Sequence, residues 1–420
     1  MVEIYRFAAV RPAPLLAPRV AAVPYDVVTR EEAAAAIQGN PFCFLRVSRP
    51  DAELAGVPPL DGKVYARARE NFDRFLRDGV LSRDGSPGMY LYRVTGNGND
   101  FLGLCCTVAT RDYEENTIRR HELTRVEKEE DRTRHIDAVG AHTGPVVLLY
   151  VDRAGISATL DALWRRAGGV DAEVAAADGT VHRVVRVTDE RDLSALEEAF
   201  GPVPRLYIAD GHHRAKSAVN VAEKRRVEGR LAPEAARFLG VLFPHDGVKI
   251  HGYSRLVTDL AGMGAGEFLR RLGERFSVEP CGAIDARAFH IPPRTAGPEG
   301  SHVFHAFLEG SWYECSRPRD DGADMIESLD VSLLQREVLG PLLGISDPRR
   351  DPRLQYLGGA RPLSDLMAMV TSGKYAAAFA MQPVRVETVL AIADAGGIMP
   401  PKSTWFEPKL LSGLVVHTFD

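Results

Sequence analysis

The chain has few cysteines and no long apolar run, and these two shortages exclude several classes of protein. Five cysteines occur among 420 residues, and none of them forms a Cys-x-x-Cys pair. A disulfide-rich scaffold and a zinc ribbon are therefore not expected. No apolar run reaches the roughly 18 residues of a membrane-spanning helix. Arginines and prolines interrupt residues 1–20 where a signal peptide would be apolar, so we expect a cytoplasmic protein.

Positive charge is also in short supply. The 52 lysines and arginines are outnumbered by 57 aspartates and glutamates, and the net charge of −5 argues against nucleic-acid binding by bulk electrostatics. The phosphate-binding signatures GxxxxGK[ST] and GxGxxG do not occur, and neither do the HExxH, GxSxG, HRD and DFG motifs. P-loop and Rossmann sites therefore have no support in this sequence.

Short apolar runs alternate with amphipathic segments along the whole chain, which predicts an α+β (mixed α/β) fold. A helix is expected over residues 63–79. Strands are expected at 89–95, 101–109, 146–151, 181–187, 238–243, 303–308, 377–381 and 387–391. The length exceeds that of one ordinary domain. A change in composition near 245–265 predicts a domain over 1–250 and a smaller α+β domain over 251–420.

The most unusual segment is Leu206–Arg214, in which an apolar strand and an Asp-Gly turn lead directly into a helix. Acidic residues are preferred in the first turn of a helix because its N-terminus is electropositive. Here the first turn holds His212, His213 and Arg214 instead. Cations in that place cost roughly 0.3–1 kcal/mol when exposed, and a bound phosphate would offset the cost. Gly211 and Arg214 are therefore candidate phosphate-binding residues.

Asp210 ends the predicted strand, and two interpretations of its role remain open. The simpler one is structural, because aspartate commonly forms turns and caps helices. In the other, the carboxylate orients or deprotonates a substrate hydroxyl beside the bound phosphate. General-base help of that kind is worth roughly 10²–10⁴ in rate.

A second unusual segment, residues 119–135, is almost entirely polar. If it forms one helix, its cations share one face, and Glu122 and Glu129 lie on the adjacent face. These cations are His121, Arg125, Lys128, Arg132 and His135. The segment is either a solvated helix held by ion pairs between neighbouring turns or one wall of a phosphate cleft. In the cleft, Glu129 and Asp131 would bind Mg²⁺, which often takes one or two carboxylates plus substrate phosphates.

The third segment, Gly396–Lys409, displays Lys402, Ser403 and Thr404 between prolines. Because prolines prevent a long helix, these three residues are expected on a rigid loop. A lysine and hydroxyl groups on a loop suit anion binding, and Lys402 and Ser403 would then close a phosphate site from the C-terminal domain. The alternative is a proline-rich turn that fixes the C-terminal segment.

Several short motifs accumulate along the chain. They are Pro24-Tyr25-Asp26-Val27, Asn40-Pro41 with Phe44-Leu45, His121-Glu122 with Thr124, Lys128-Glu129 with Asp131-Arg132, Asp210–Arg214 and Met399–Lys409. Together they resemble the DUF1015 family of bacterial and archaeal proteins, and the resemblance covers nearly the whole chain. The family name by itself implies no function.

The turn at Asp210–Arg214 is also similar to the phosphate-binding motif of the ParB/sulfiredoxin-like superfamily. That superfamily includes sulfiredoxins, CTP-hydrolysing ParB proteins and free-serine kinases. The resemblance implies a ParB/sulfiredoxin-like core in the N-terminal domain and nucleotide or phosphate binding at the helix start. Sulfinic-acid repair is not expected, because His212 stands where sulfiredoxins have their cysteine.

The same resemblance implies a phosphotransferase that acts on the hydroxyl of free L-serine. The donor would be ATP, ADP or pyrophosphate, and Mg²⁺ would be the cofactor. In this scheme His212, His213 and Arg214 hold the donor phosphates and stabilise the charge of the transition state. Glu122 is the expected base by its order along the chain, and Asp210 is the alternative base. No organic cofactor, membrane partner or nucleic-acid partner is expected.

Three other functions stay open at this point. A phosphoserine phosphatase would use the same residues with water as the acceptor. A ParB-like nucleotide-binding regulator would have no metabolic activity, although the acidic net charge and the lack of a helix-turn-helix pattern count against it. A metal-dependent hydrolase would be centred on His121, His135, His212 and His213.

Overall fold

The computed structural model describes residues 1–294, 300–320, 322–358 and 361–419. The chain forms two compact units: the first contains Met1–Val248 together with the segment from Pro408 onward, and the second is Lys249–Glu407. The composition change predicted that all of 251–420 belongs to the smaller domain. The segment after Pro408 instead belongs to the first unit, because Val416 bridges Val10 and residues near it pair with the same unit.

Strands and helices are interspersed along the first unit. Its strands are β1 (Ile4–Tyr5), β2 (Val10–Pro12), β3 (Leu81–Arg83), β4 (Met89–Gly96), β5 (Asn99–Ala109), β6 (Ile118–Arg119), β7 (Ala141–His142), β8 (Val146–Tyr150), β9 (Ala172–Ala175), β10 (Val181–Val187), β11 (Leu206–Asp210) and β12 (Arg237–Pro244). Its helices are α1 (Ala17–Val20), α2 (Arg30–Gln38), α3 (Leu45–Ser48), α4 (Gly62–Arg77), α5 (Thr110–Glu114), α6 (Val126–Val139), α7 (Ile156–Arg166), α8 (Glu190–Phe200) and α9 (His212–Val227). Short 3₁₀ turns lie at Pro50–Glu53, Glu234–Ala236 and His245–Gly247.

The second unit is built from shorter elements. Its strands are β13 (Lys249–His251), β14 (Ser254–Val257), β15 (Ser277–Pro280), β16 (Ser301–Leu308), β17 (Ser311–Pro318), β18 (Leu354–Leu357), β19 (Ala377–Met381) and β20 (Trp405–Glu407). Its helices are α10 (Ala265–Gly273), α11 (Asp330–Leu334, continued by a π-helical turn over Gln335–Leu339), α12 (Leu363–Thr371) and α13 (Val386–Asp394). The chain then returns to the first unit with β21 (His417–Thr418).

One mixed sheet organises the first unit. Its strand order is β6-β11-β8-β12-β5-β4-β10-β9, and β1 pairs with β5. β11 runs parallel to β6, and β12 runs parallel to β8, whereas the other neighbours in this sheet are antiparallel. β11 therefore lies between β8 and the two-residue strand β6. Its C-terminal end leads through Gly211 into α9.

The central strands β5 and β12 have paired strands on both sides, and most of their residues are buried. Cys105 and Cys106 lie in β5, within the strand predicted over residues 101–109, and both are fully buried. Burial raises the pKa of both thiols. The two adjacent cysteines therefore behave as small apolar side chains of the core.

The second unit contains a separate six-stranded sheet, in the order β15-β17-β16-β19-β14-β18. Each neighbouring pair in this sheet is antiparallel. β13 and β20 form a two-stranded ribbon within the same unit. The second unit combines helices with an antiparallel sheet, and the first combines helices with a mixed sheet, which confirms the predicted α+β fold.

Two predicted elements are wrong. Residues 387–391 lie in α13 rather than in a strand, and Val389 and Leu390 are buried there. A short apolar run does not by itself distinguish a buried helix from a buried strand. Residues 119–135 do not form one helix either: α6 begins at Val126, because Ile118 and Arg119 pair with β11 and Arg125 is extended.

None of the helices in the described part of the chain is both long and apolar enough to cross a membrane.

A close contact between β5 and β12 gives a test of the central sheet. A Cβ atom at Gly103 would lie 2.7 Å from Cε1 of Phe243. We expect Gly103→Ala to lower the free energy of unfolding by about 1–3 kcal/mol, the usual cost of overpacking, in a urea titration. Gly85→Ala is the matched control, because a Cβ atom there meets nothing within 4 Å. Equal losses in the two variants would contradict this explanation.

Candidate functional site

The strand, turn and helix predicted around Leu206–Arg214 are present. β11 ends at Asp210, Gly211 adopts the left-handed conformation with φ 92° and ψ 28°, and α9 begins at His212. Glycine suits this position because a Cβ atom would be strained there. The first turn of α9 has neither a side-chain cap nor an acidic residue. Its N–H groups and the positive end of its dipole are therefore not neutralised by their own helix.

Asp210 joins two cations at this turn. Its Oδ2 accepts a hydrogen bond from Nη2 of Arg214, and its Oδ1 accepts one from Nζ of Lys409, each at 2.7 Å. Burial raises the pKa of Asp210, but the two cations outweigh burial and hold this pKa below its ordinary value. The carboxylate is ionised at neutral pH, so the cluster carries two positive charges and one negative charge.

These contacts favour a positioning role for Asp210. A carboxylate held as an ion by two cations is a weak base, because protonation would weaken both ion pairs. Its side chain does not cap α9. The geometry instead uses Asp210 to fix the directions of Arg214 and Lys409.

Arg214 is 9% exposed and has unsatisfied hydrogen-bonding capacity. Its Nη1 donates to the Pro145 carbonyl and its Nη2 to Asp210, while Nε is buried and has no hydrogen-bond partner among the described residues. A Cβ atom at Gly211 would lie 3.0 Å from this Nε. Glycine thus lets the guanidinium approach the turn, and an anion oxygen would satisfy the remaining donor.

His121 and His212 pack edge to face, with ring centroids 4.6 Å apart. Burial lowers the pKa of each ring to about 3, so both imidazoles are neutral at pH 7. Nδ1 of His212 lies 3.9 Å from Oε2 of Glu122, which is too long for a hydrogen bond. Glu122 has a side chain that is 39% exposed, and it places a solvent-accessible carboxylate beside this pair.

His213 is held by the backbone that precedes α6. Its Nε2 accepts a hydrogen bond from the N–H of Arg125 at 3.1 Å, so the ring carries its proton on Nδ1 when neutral. Burial lowers the pKa of His213. The side chains of Arg125 and Lys128 are exposed. The predicted cationic face is therefore not continuous, and Arg125 contacts His213 through its main chain.

Arg132 is buried on α6 and lines a pocket together with Arg214. Its guanidinium lies 4.2 Å from the centroid of the Tyr25 ring, and its Nη1 donates to the Ser48 carbonyl at 3.2 Å. Tyr25 and Ser48 line the same pocket, and burial raises the pKa of Tyr25 to about 12. Asp131 forms an ion pair with Arg132 at 2.6 Å.

The predicted magnesium ligands do not fit a resident metal site. Asp131 accepts a hydrogen bond from the Tyr65 hydroxyl at 3.1 Å and pairs with Arg132, and Glu129 accepts one from the Thr124 hydroxyl. Residues two apart on a helix do not face each other. Within the described ranges, no group of three or more His, Cys, Asp or Glu side chains is arranged to hold a metal ion.

A four-histidine metal centre does not fit either. His135 is buried on α6, where its Nε2 lies 2.7 Å from the Val47 carbonyl oxygen. Burial lowers the pKa of His135 to about 4. His135 therefore serves the packing of α6 against α3, while His121 and His212 contact each other at the turn.

Lys402, Ser403 and Thr404 belong to the second unit, on a non-helical segment as the prolines predict. Lys402 has a positive φ of 57°, and its Nζ lies 5.1 Å from the centroid of the Tyr253 ring. Ser403 is buried, and its hydroxyl donates to the Pro400 carbonyl at 2.6 Å. This hydroxyl stabilises its own turn, and Thr404 is half-buried.

Lys409 is the residue that the sequence pattern does not predict. It follows the Lys402–Thr404 segment in the same proline-rich signature, yet 199 positions separate it from Asp210. Local patterns carry no information on such a contact. The one available signal is its place at the end of the Gly396–Lys409 motif, directly after Pro408.

The sequence matches a known family model, described as "Protein of unknown function (DUF1015)", over residues 4–332. The chain belongs to the DUF1015 family. This match confirms the membership predicted from the motifs. The matched residues include the Asp210–Arg214 turn. No curated protein matches the chain by sequence.

Solved structures similar to the DUF1015 chain are distant. A free serine kinase in complex with AMP is 15% identical, with 74% of this chain and 90% of that chain covered and a TM-score of 0.37. A conserved hypothetical protein from Pyrococcus furiosus is 15% identical, with 73% and 94% covered and a TM-score of 0.33. The C-terminally truncated SbnI from Staphylococcus aureus is 11% identical, with 74% and 86% covered and a TM-score of 0.35.

The neutral histidines give a pH prediction. A folded-state pKa of about 3 for His121 and His212 lies below the ordinary value of about 6.5, so the unfolded state binds more protons between these values. Stability should therefore fall as the pH drops below about 6.5, by up to about 1.4 kcal/mol per pH unit for each ring. In His212→Asn, the free energy of unfolding should fall less steeply with decreasing pH, because only the His121 ring of the pair still contributes.

Nuclear magnetic resonance checks this directly. The imidazole C–H signals of His121 and His212 should keep the shifts of neutral rings down to about pH 4.5. Titration of either ring near pH 6.5 would contradict the neutral, buried pair.

The Asp210 cluster gives a stability prediction. Asp210→Asn leaves Arg214 and Lys409 partly buried without their carboxylate. Since these three side chains are 10–25% exposed, we expect a loss of about 1–3 kcal/mol, below the 3–5 kcal/mol of a fully buried pair. Chemical unfolding measures this loss, and adding Lys409→Met should recover part of it. An unchanged midpoint in Asp210→Asn would show that the cluster has no structural role.

Proposed function

We propose that this DUF1015 protein is a phosphotransferase that binds donor phosphates at the start of α9 and acts on the hydroxyl of free L-serine. The observation that carries the proposal is an unsatisfied donor at the turn. Nε of Arg214 is buried without a hydrogen-bond partner among the described residues, and the first turn of α9 has no side-chain cap. Such donors at an uncapped helix start are suited to an anion with several oxygens.

Phosphoryl transfer depends mainly on positioning and on electrostatic stabilisation of the phosphoryl oxygens. The buried Nε of Arg214 and the buried Nε2 of His212 both lack a hydrogen-bond partner among the described residues. In the proposed complex, the first-turn N–H groups and Arg214 bind the donor phosphates. His212, neutral at pH 7, donates a hydrogen bond to the same group if its proton is on Nε2.

Glu122 is the base of the proposed reaction. Its side chain is partly exposed and lies 3.9 Å from Nδ1 of His212, whereas Asp210 is committed to two cations. Glu122 would accept the proton of the serine hydroxyl as the new oxygen–phosphorus bond forms. The bond from phosphorus to the leaving phosphate oxygen breaks in the same step. Mg²⁺ enters this scheme as part of the donor complex rather than through Glu129 and Asp131.

The decisive assay is a search for O-phosphoserine. Purified protein is incubated with L-serine, Mg²⁺ and, separately, ATP, ADP or pyrophosphate, and the product is measured by mass spectrometry. The reverse incubation starts from O-phosphoserine with and without a nucleotide. Release of phosphate in water alone would identify a phosphatase. Nucleotide binding without product in any incubation would favour the regulatory alternative and reject the phosphotransferase.

Variants of the turn test the site assignment. Arg214→Ala and Glu122→Gln should each lower kcat/KM at least tenfold, because they remove a phosphate ligand and the base. Arg226→Ala is the matched control, since Arg226 lies at the other end of α9 and pairs with Glu223. It should leave the activity unchanged. Retained activity in Arg214→Ala, with folding verified, would reject the turn as the phosphate site.

A further inference from the structure

The second unit contains a buried cation that no acidic side chain of the described residues balances. Arg255 of β14 is 3% exposed. Its Nη1 donates to the Tyr253 carbonyl at 2.6 Å, and its guanidinium lies 5.3 Å from the centroid of the Tyr356 ring. The titratable groups that act on Arg255 within the described part of the chain are the phenols of these two tyrosines.

Other buried arginines of the chain are balanced by acidic partners. Arg132, Arg214 and Arg225 pair with Asp131, Asp210 and Asp137. A buried charge without a partner is strongly unfavourable, and a guanidinium does not escape this penalty by losing its proton near neutral pH. Burial lowers the pKa of Arg255 to about 10, which still leaves it charged. An anion from outside the described chain would balance it.

The surroundings of Arg255 form an aromatic wall. Tyr356 is the cross-strand partner of Arg255 in the β14–β18 pair, so the two side chains share one face of the sheet. Tyr253 lies just before β14, and its carbonyl accepts the hydrogen bond from Arg255. Trp405 lies edge-on to Tyr253, with ring centroids 5.5 Å apart. The Trp405 ring packs directly against Gly358, where a Cβ atom would lie only 2.5 Å from the ring.

A second cation, Lys402, contacts the same aromatic wall. Nζ of Lys402 lies 5.1 Å from the centroid of the Tyr253 ring, and this lysine is exposed. Its φ of 57° is unusual for a residue with a side chain. Strained backbone of this kind is often kept at ligand-binding positions. Arg255 therefore contacts the main-chain carbonyl of Tyr253, and Lys402 contacts the ring of the same residue.

We propose that Arg255 and Lys402 form an oxyanion-binding site of the second unit, which takes the phosphate or carboxylate group of a small ligand. The planar guanidinium of Arg255 offers parallel N–H donors that match two oxygens of such a group. Lys402 adds a mobile positive charge at the exposed side. Tyr253 and Tyr356 line the remaining wall and suit a flat ligand. All four of these residues belong to the second unit, and the inference does not depend on the proposed phosphotransferase activity.

Trp405 reports on the site without any need for turnover. Protein labelled with ¹⁵N gives one indole signal for each of its three tryptophans, and Trp405→Phe assigns the signal of Trp405. Inorganic phosphate, acetate and AMP are titrated separately. We expect a saturable shift of the Trp405 signal with at least one of them. Phosphate and AMP identify a phosphate site, and acetate alone identifies a carboxylate site.

Matched variants locate the binding. Arg255→Met should weaken the affinity measured at Trp405 at least tenfold, and Arg287→Met, which changes a 92% exposed arginine of the same unit, should not change it. Arg214→Ala should leave this titration unaltered, which separates it from phosphate binding at α9. A Trp405 signal that does not respond, or an equal affinity in Arg255→Met, would overturn the proposal.

Stability measurements on the Arg255 variants distinguish loss of ligand binding from loss of folding. If Arg255 were a structural residue, Met would lower the unfolding midpoint even without phosphate. For a ligand-binding residue we expect Met, a side chain of similar shape, to keep or raise the midpoint in phosphate-free buffer. Arg255→Lys keeps the charge but loses the planar fork. It should weaken binding about tenfold while folding normally, and wild-type affinity in this variant would contradict bidentate binding.

Discussion

The ion pairs of Asp210 with Arg214 and Lys409 are the constraint on which the first unit's site depends. They connect the end of β11, the first turn of α9 and the returning C-terminal segment through one carboxylate. Because one carboxylate accepts from both side chains, neither Arg214 nor Lys409 lies at the turn without an acidic partner. The same arrangement explains how the turn tolerates Arg214 where a helix normally begins with an acidic residue, while burial keeps His212 neutral.

Local patterns predicted most of the fold. The strands at 89–95 and 101–109 and the strand-turn-helix at Asp210–Arg214 follow from alternation, turn residues and apolar runs, which act over a few positions. Residues 387–391 were harder, because a buried helix and a buried strand are both apolar throughout. The helix through residues 119–135 fails for a different reason. Pairing of β6 with β11 holds its first residues in extended form, and periodicity does not record such long-range contacts.

In the candidate site, too, local patterns predicted some residues and missed those that depend on long-range contacts. Gly211, His212 and Arg214 were predicted because their unusual order is itself the signal. Lys409 was not, since only the folded chain brings it to Asp210. Glu129 and Asp131 looked like metal ligands in the sequence, but each already has a hydrogen-bond donor of its own in the structure. A sequence shows which polar groups exist without showing which of them are already partnered.

The return of the chain to the first unit after Pro408 makes the second unit an insertion within the first. During synthesis, most of the first unit leaves the ribosome well before β21 and Lys409 exist. Until then β7 has no partner strand, and Asp210 has one of its two cations. The nascent first unit must therefore remain incompletely paired while the whole of Lys249–Glu407 is translated. This chain order makes completion of the first unit the last step of its folding.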